Sequence, residues 1–415
     1  DYLVSCSQDQ TTRVYCEWVQ TNTWHEISRA QIHGYDLNAI KNLRVPSRDG
    51  KKFADYLVSG GDEKVIRTFE PAPTFINTLN SLSNKNLRLF FEKPEEEEKY
   101  LDKSDPNKTR YIVSVEGTTK VLGLMNVSVP LEKPDIKYGK EEDEEGGIDD
   151  NEEESKETID YDYKQPPVED YLVKHTLWPE FNKLYGHGYE LKAIATNSTG
   201  DLIASACKSQ TQDHAIIILW NPKTYTIIDR LSLHSYTVVQ LDFSENDEFL
   251  ISVSRDRQIG LFKHDPEDKQ HPYKLFWSDK SHSRIIWTVA FSHDTKHFAT
   301  GARDKLIKLW EIGEKPSQVC SQSFEAPVTA VAFGNQPIAE GKYLLTIGLE
   351  NGKIFLYEFD APNKKLSLLH EIEKNLRHSL TVNRIKFRKN TKPGLMTFAT
   401  SSDDHSVRIF DVLIK

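Results

Sequence analysis

An all-β fold, a seven-bladed propeller preceded by the last strands of another propeller, is what this 415-residue sequence predicts, on three observations. A short pattern recurs in which a small hydroxyl residue precedes an acid by four positions and an aromatic follows that acid by six, as in Thr300, Asp304 and Trp310. Copies stand about 44 to 50 residues apart, the length of a four-stranded unit that cannot bury both of its faces alone. Between the copies run segments of period-two alternation, rich in β-branched and aromatic residues.

Taken in chain order, SCSQDQTTRVY (Ser5, Asp9, Tyr15) keeps both spacings but has no matching strand before it. Residues 1–22 therefore read as the tail of a preceding propeller, and the chain as a fragment. Residues 23–415 read as the seven-bladed ring, with signatures at 59–69, 110–124, 205–220, 252–262, 300–310, 346–357 and 400–410. The copy at 110–124 is weak, lacking both acid and aromatic. The fifth unit shows the full pattern: RIIWTVAF as strand a, KHFATG as b, KLIKLW as c and SQVCSQSF as d. The last unit stops after SVRIFDV. The segment TWHEISRA (Thr23 to Ala30) is expected to pair with it and close the ring, removing an open edge. WPEFNKLY (Trp178 to Tyr185) is expected as the outer strand of the weak blade. An acidic insertion at about 130–168 has too little apolar content to offset ordering and is expected to be disordered.

Charge and cysteines exclude several classes. The net charge of -10 is concentrated in residues 141–157, where eleven acids face one lysine, so the remainder is near neutral. Cys6, Cys16, Cys207 and Cys320 lie far apart without paired spacing, which points to reduced thiols in an intracellular protein. No apolar run approaches the roughly 20 residues of a membrane span. A soluble cytoplasmic chain, with the nucleus as a second location and no membrane contact, is the expectation.

Histidines precede several copies: His33, His187, His234, His282 and His378. Histidine, serine or threonine, and aspartate together suggest a hydrolytic triad, but an active site needs one nucleophile once, whereas these sets recur blade after blade. The sets His187, Ser205, Asp213, Trp220 and His282, Thr300, Asp304, Trp310 read instead as structural tetrads. In each, a hydrogen-bond chain would satisfy polar groups inside a blade. Phe262 and Phe410 lack the indole donor. Metal-ligand clusters and phosphate-binding glycine loops are missing from the sequence, so neither catalysis nor a cofactor nor a metal is expected.

In an antiparallel blade the d-to-a and b-to-c loops leave on one face. Arg255, Arg257, Arg284 and Arg303, with Lys305, occupy those loops in two successive blades and should form one basic patch. They are either solvated charges paired locally to an acid, or a contact for acidic protein or RNA phosphate, to which arginine's fork is suited. Trp24, Trp178, Phe276 and Trp277 read as outer-strand packing residues.

The repeat spelling resembles the WD40 family. TWHEISRAQIHGYDL, HTLWPEFNKLYGHGYEL, LIASACK with IILWN, SVSRDR and HSRIIWTVAFSHDTKHFATGARDK are similar to the second-subunit family of the Elongator complex, across the chain outside the acidic tract. That resemblance implies two propellers in tandem, of which this chain would hold the second. It also implies a non-catalytic scaffold in an assembly that modifies wobble uridines of transfer RNA. Its partners would be the large scaffold subunit 1 and the catalytic subunit 3, a radical-SAM and acetyltransferase protein, with RNA contact indirect or weak. Only the four arginines carry over, as an interaction surface. The alternative is a WD40 recognition module that reads a peptide or an acidic or RNA ligand on the arginine face.

Overall fold

The computed structural model describes residues 2–46, 53–84, 164–389 and 394–414. Among the described residues seven sheets form the blades of a β-propeller ring. Blade 3 comprises Leu191–Thr196, Ile203–Cys207, Ile217–Asn221 and Thr226–Leu231, and blade 4 comprises Val238–Phe243, Phe249–Ser254, Ile259–His264 and Tyr273–Asp279. Blade 5 is Ile286–Phe291, His297–Ala302, Leu306–Glu311 and Ser317–Ser323; blade 6 is Val328–Ala339, Lys342–Leu349, Ile354–Asp360 and Lys365–Glu371. In these four blades, strands a to d follow one another as antiparallel neighbours. Blade 7 holds three described strands, Val382–Phe387, Leu395–Ser402 and Val407–Leu413.

Composition explains the radial order. Strand a of blade 5, IWTVAF, and strand b, HFATGA, are buried almost throughout, since sheets on both sides cover them. Strand d, SQVCSQS, is largely exposed and correspondingly polar. Phe298, Trp310 and Trp277 pack with ring centroids 5.2 to 6.1 Å apart in the core between blades 4 and 5. Each such side chain, once buried, contributes roughly 1.5–3 kcal/mol. Around the axis, Lys41 of blade 2 and Lys386 of blade 7 each approach Asp242 of blade 4 at 3.7 Å.

The first two blades depart from the expectation. Blade 1 is Leu3–Cys6, Thr12–Trp18 and Thr23–Ala30, with Leu177–Trp178 added in parallel (Arg29 opposite Leu177, Ala30 opposite Trp178). Thr23–Ala30 therefore pairs with Thr12–Trp18, not with the SVRIFDV segment. The tight turn at Thr21 and Asn22, both donating to the Trp18 carbonyl, makes the local hairpin far cheaper in loop entropy than a partner at the other end of the chain. Consequently the sheets do not separate at residue 22: residues on both sides of it share one blade.

Blade 2 joins Leu37–Pro46, Phe53–Gly61 and Val65–Phe69 to Glu180–Tyr185. The stretch expected as a single outer strand of the weak blade is thus divided. Glu180–Tyr185 completes blade 2, with Val65 opposite Tyr185, while Leu177–Trp178 serves blade 1. The weak copy at 110–124 and the acidic insertion lie outside the described residues.

After Val65–Phe69 comes the helix Pro73–Ser83, started by its proline and ended by Asn84 in the left-handed conformation at φ 52. Its Phe75, Ile76, Leu79 and Leu82 pack against Val14, Ile27, Leu57 and Trp178 and weld blades 1 and 2 together. Blade 7 meets blade 1 through Arg388. Its Nη1 donates to Glu17 at 2.7 Å, and its guanidinium lies 5.3 Å from the Trp24 ring. No helix among the described residues is long and apolar enough to cross a membrane. All four cysteines carry free thiols.

Candidate functional site

Five blades seat a histidine from the d-to-a loop beneath one face of the ring. In blade 5 the His282 Nε2 lies 2.9 Å from Thr300 Oγ1, Trp310 Nε1 donates to that hydroxyl at 3.1 Å, and His282 Nδ1 meets Asp304 at 3.0 Å. These four residues form one buried chain. Blade 4 repeats it without the indole: His234 reaches Ser252 at 2.7 Å and Asp256 at 3.1 Å, with Phe262 as the aromatic. Blade 7 does likewise with His378, Thr400 at 2.8 Å and Asp404 at 3.0 Å. In blade 2, Glu63 takes the acid's place, 2.7 Å from His33, while Ser59 takes the other nitrogen at 2.5 Å.

Blade 3 has the indole and hydroxyl but no acid. His187 Nε2 and Trp220 Nε1 both contact Ser205 Oγ at 2.7 Å. Asp213 is exposed, within the short 3-10 turn Gln212–His214, and His187 Nδ1 has no partner among the described residues. The structure thus brings three of that set together and leaves Asp213 out. Its turn is longer than those of blades 4 and 5, which carries the acid away from the histidine.

These networks set proton affinities. Burial lowers His187 to about 4. Burial also lowers His282 and His378, although their partners Asp304 and Asp404 act in the opposite sense. Burial would raise Asp256, but the hydrogen bonds from His234, Ser235 and Gln258 outweigh it and hold the carboxyl low. Glu63 is brought to about 2 against its own burial by His33 and Arg67. Among the described residues no group of three His, Cys, Asp or Glu side chains is placed to hold a metal ion.

The same inward-turned acids explain the exterior. Asp256 accepts the amides of Ser235 at 2.9 Å and Gln258 at 2.8 Å, so its carboxylate is used within the blade. Arg257 follows it at φ 69 and Lys305 follows Asp304 at φ 68, conformations that carry both side chains outward. Arg255 and Arg303 are anchored by their amides to the Thr237 and Ile285 carbonyls at 3.0 and 2.9 Å. Arg255, Arg257, Arg284 and Arg303 are all exposed, and none forms an ion pair with a described residue. Local neutralisation, one reading of these residues, finds no acid paired to them among the described residues. Lys305 is occupied, donating to the Glu325 carbonyl at 2.9 Å.

Sequence reasoning passed over the residues two positions beyond the histidines. Tyr35, Tyr189 and Tyr236, at 49%, 45% and 50% exposure, follow His33, His187 and His234 in blades 2, 3 and 4. The HGY, HGY and HSY spellings were the available signal. Arg284 holds the same position in blade 5 and Leu380 in blade 7.

Comparison with known proteins agrees with this architecture. The family described as WD domain, G-beta repeat matches residues 225–263 and 274–311. The chain is 36% identical over 99% of its length to Elongator complex protein 2 of Drosophila melanogaster, covering 49% of that protein. Against the proteins of that name from Arabidopsis thaliana and Saccharomyces cerevisiae the identity is 33% and 32%, again over 99% of this chain and 49% of the relative. The chain spans about half the length of the curated relatives it matches.

Proposed function

Because WD40 repeats match at residues 225–263 and 274–311 and the chain resembles Elongator complex protein 2 along 99% of its length, we propose that it is a non-catalytic scaffold within an Elongator complex. On this reading it supports wobble-uridine modification of transfer RNA through protein contacts, in the cytoplasm and nucleus. The partners are the large scaffold subunit 1 and the catalytic subunit 3, and RNA is touched weakly or only through them.

One observation carries the reading. Four exposed arginines of blades 4 and 5 share a face and lack ionic partners among the described residues, while the histidine networks that resemble triads are buried structural links. Unpaired guanidinium groups are suited to carboxylates on a partner, since their planar forks bind bidentately. Reversing Arg255, Arg257, Arg284 and Arg303 together to glutamate should abolish co-purification with the other subunits, with the melting temperature kept within a few degrees. Assembly that survives the quadruple change would refute the role of this face.

A second reading, a recognition module for a peptide or an acidic or RNA ligand, uses the same arginines. Saturable binding of such a ligand by the isolated ring, lost in the same variant, would favour it.

A further inference from the structure

We infer that the arginine patch is one end of a longer docking track, whose other end is the exposed tyrosine arc Tyr35, Tyr189 and Tyr236. The occupant is a protein segment that lays apolar side chains on the tyrosines and carboxylates on Arg255, Arg257, Arg284 and Arg303. This rests on the reading of the arginine face as an interaction surface and specifies what binds there.

The track follows from the ring's repetition. Each tyrosine lies two residues after a buried histidine whose Nε2 is held by a strand-b hydroxyl: Ser59, Ser205 and Ser252 in turn. The three loops are thereby fixed at equivalent positions on consecutive blades, and Arg284 continues the series on the next. Two intervening glycines keep the turns tight. Gly34 adopts φ +78, and a Cβ at Gly188 would come within 2.9 Å of the His214 ring. Tyr189 is braced by that same ring, edge-on at 4.8 Å, and by Lys64 at 5.9 Å. A single exposed aromatic needs no explanation, but three in register beside unpaired arginines make a surface of the composition that dominates protein interfaces.

Charge and spacing select the occupant. Asp36 and Asp213 are exposed beside the tyrosines, while Asp62 is paired with Lys208 at 2.6 Å and Lys64 stands over Tyr189, so this half of the track carries mixed charge with no cationic surplus to draw a polyanion. Packed sheets stand about 10 Å apart, so tyrosines on successive blades are separated on that order. An extended polypeptide, at about 3.3 Å per residue, passes from one blade to the next in three residues. Apolar side chains over the tyrosines and carboxylates over the arginines are groups that one protein segment supplies together, against the tyrosines and arginines that dominate protein interfaces.

Tyrosine nitration by tetranitromethane, mapped by mass spectrometry, tests the proposal in the assembled complex. Tyr35, Tyr189 and Tyr236 should react in the free chain and be protected once the other Elongator subunits are bound. The triple change Tyr35→Ser, Tyr189→Ser and Tyr236→Ser should weaken assembly by about tenfold or more without lowering the melting temperature. If the arginine reversal blocks assembly but the tyrosines stay reactive in the wild-type complex, the track is wrong and the arginine reading stands. Protection that appears only on adding transfer RNA would likewise overturn it. Assembly indifferent to the arginine reversal would remove both.

Discussion

Blade 5 and blade 3 build the same indole, hydroxyl and imidazole chain, yet only blade 5 completes it with an acid. Asp304 meets both His282 Nδ1 and the Ser283 amide at 3.0 Å, clamping the loop from which Arg284 projects. Blade 3 offers nothing to His187 Nδ1, and its loop is steadied by Tyr189 against His214. The histidine is buried in both, so the acid is not what seats it. The acid governs the loop and the cost of protonating the ring.

The largest expected effect falls on what the two blades share. Thr300→Val keeps the shape but strands the Trp310 N–H and His282 Nε2, each a buried polar group, at a cost of roughly 2–4 kcal/mol. Thr300→Ser should stay near wild type, and Ser205→Ala should cost about as much in blade 3. Thermal and urea unfolding will measure these, and a neutral Thr300→Val would break the comparison at its root.

Next in size is the acid response that separates the blades. His187 binds its proton more weakly folded than unfolded, about 4 against 6.5, so its neutral form favours the fold. That contribution is intact above pH 6.5 and is lost as pH falls toward 4, by on the order of 3 kcal/mol. His187→Gln should flatten the decline in urea-unfolding free energy between pH 7 and 4.5. An unchanged slope would mean that the imidazole is solvated. The carboxylates Asp256 and Glu63, held low, add losses only at still lower pH, as they take up protons.

The smallest effect sharpens the contrast. Asp213→Ala should change stability by less than about 0.5 kcal/mol, as exposed substitutions usually do. The equivalent acid in blade 5 should be several times costlier to remove, and equal costs would mean that Asp213 joins the network after all.

Much of this was legible because the repeat writes its hydrogen bonds into the spacing. Thr300, Asp304 and Trp310 could be assigned from two intervals, and strands a to d of blade 5 from alternation. Asp213 was misplaced because a long turn hides which acid faces inward, and an interval cannot report that. Blade 2's Glu63 stands four residues after Ser59 and six before Phe69, the spacing of the repeat itself, and its extra methylene still reaches His33. The fourth strand of blade 2 was misassigned because Glu180–Tyr185 stands far along the chain from Val65–Phe69, and local propensity carries no information about distant pairing. The tyrosines were visible as letters but not as an arc, since their common direction exists only once the blades stand side by side.

Arg388 grips Glu17 across 371 residues of sequence, and this sets the timetable of manufacture. On a ribosome the Thr12–Ala30 hairpin must wait, its flank uncovered, until the 371 residues between Glu17 and the latch have been translated. A chaperone that shields strands made before the latch would be useful throughout that interval, and force applied between Glu17 and Arg388 should open the ring at this seam.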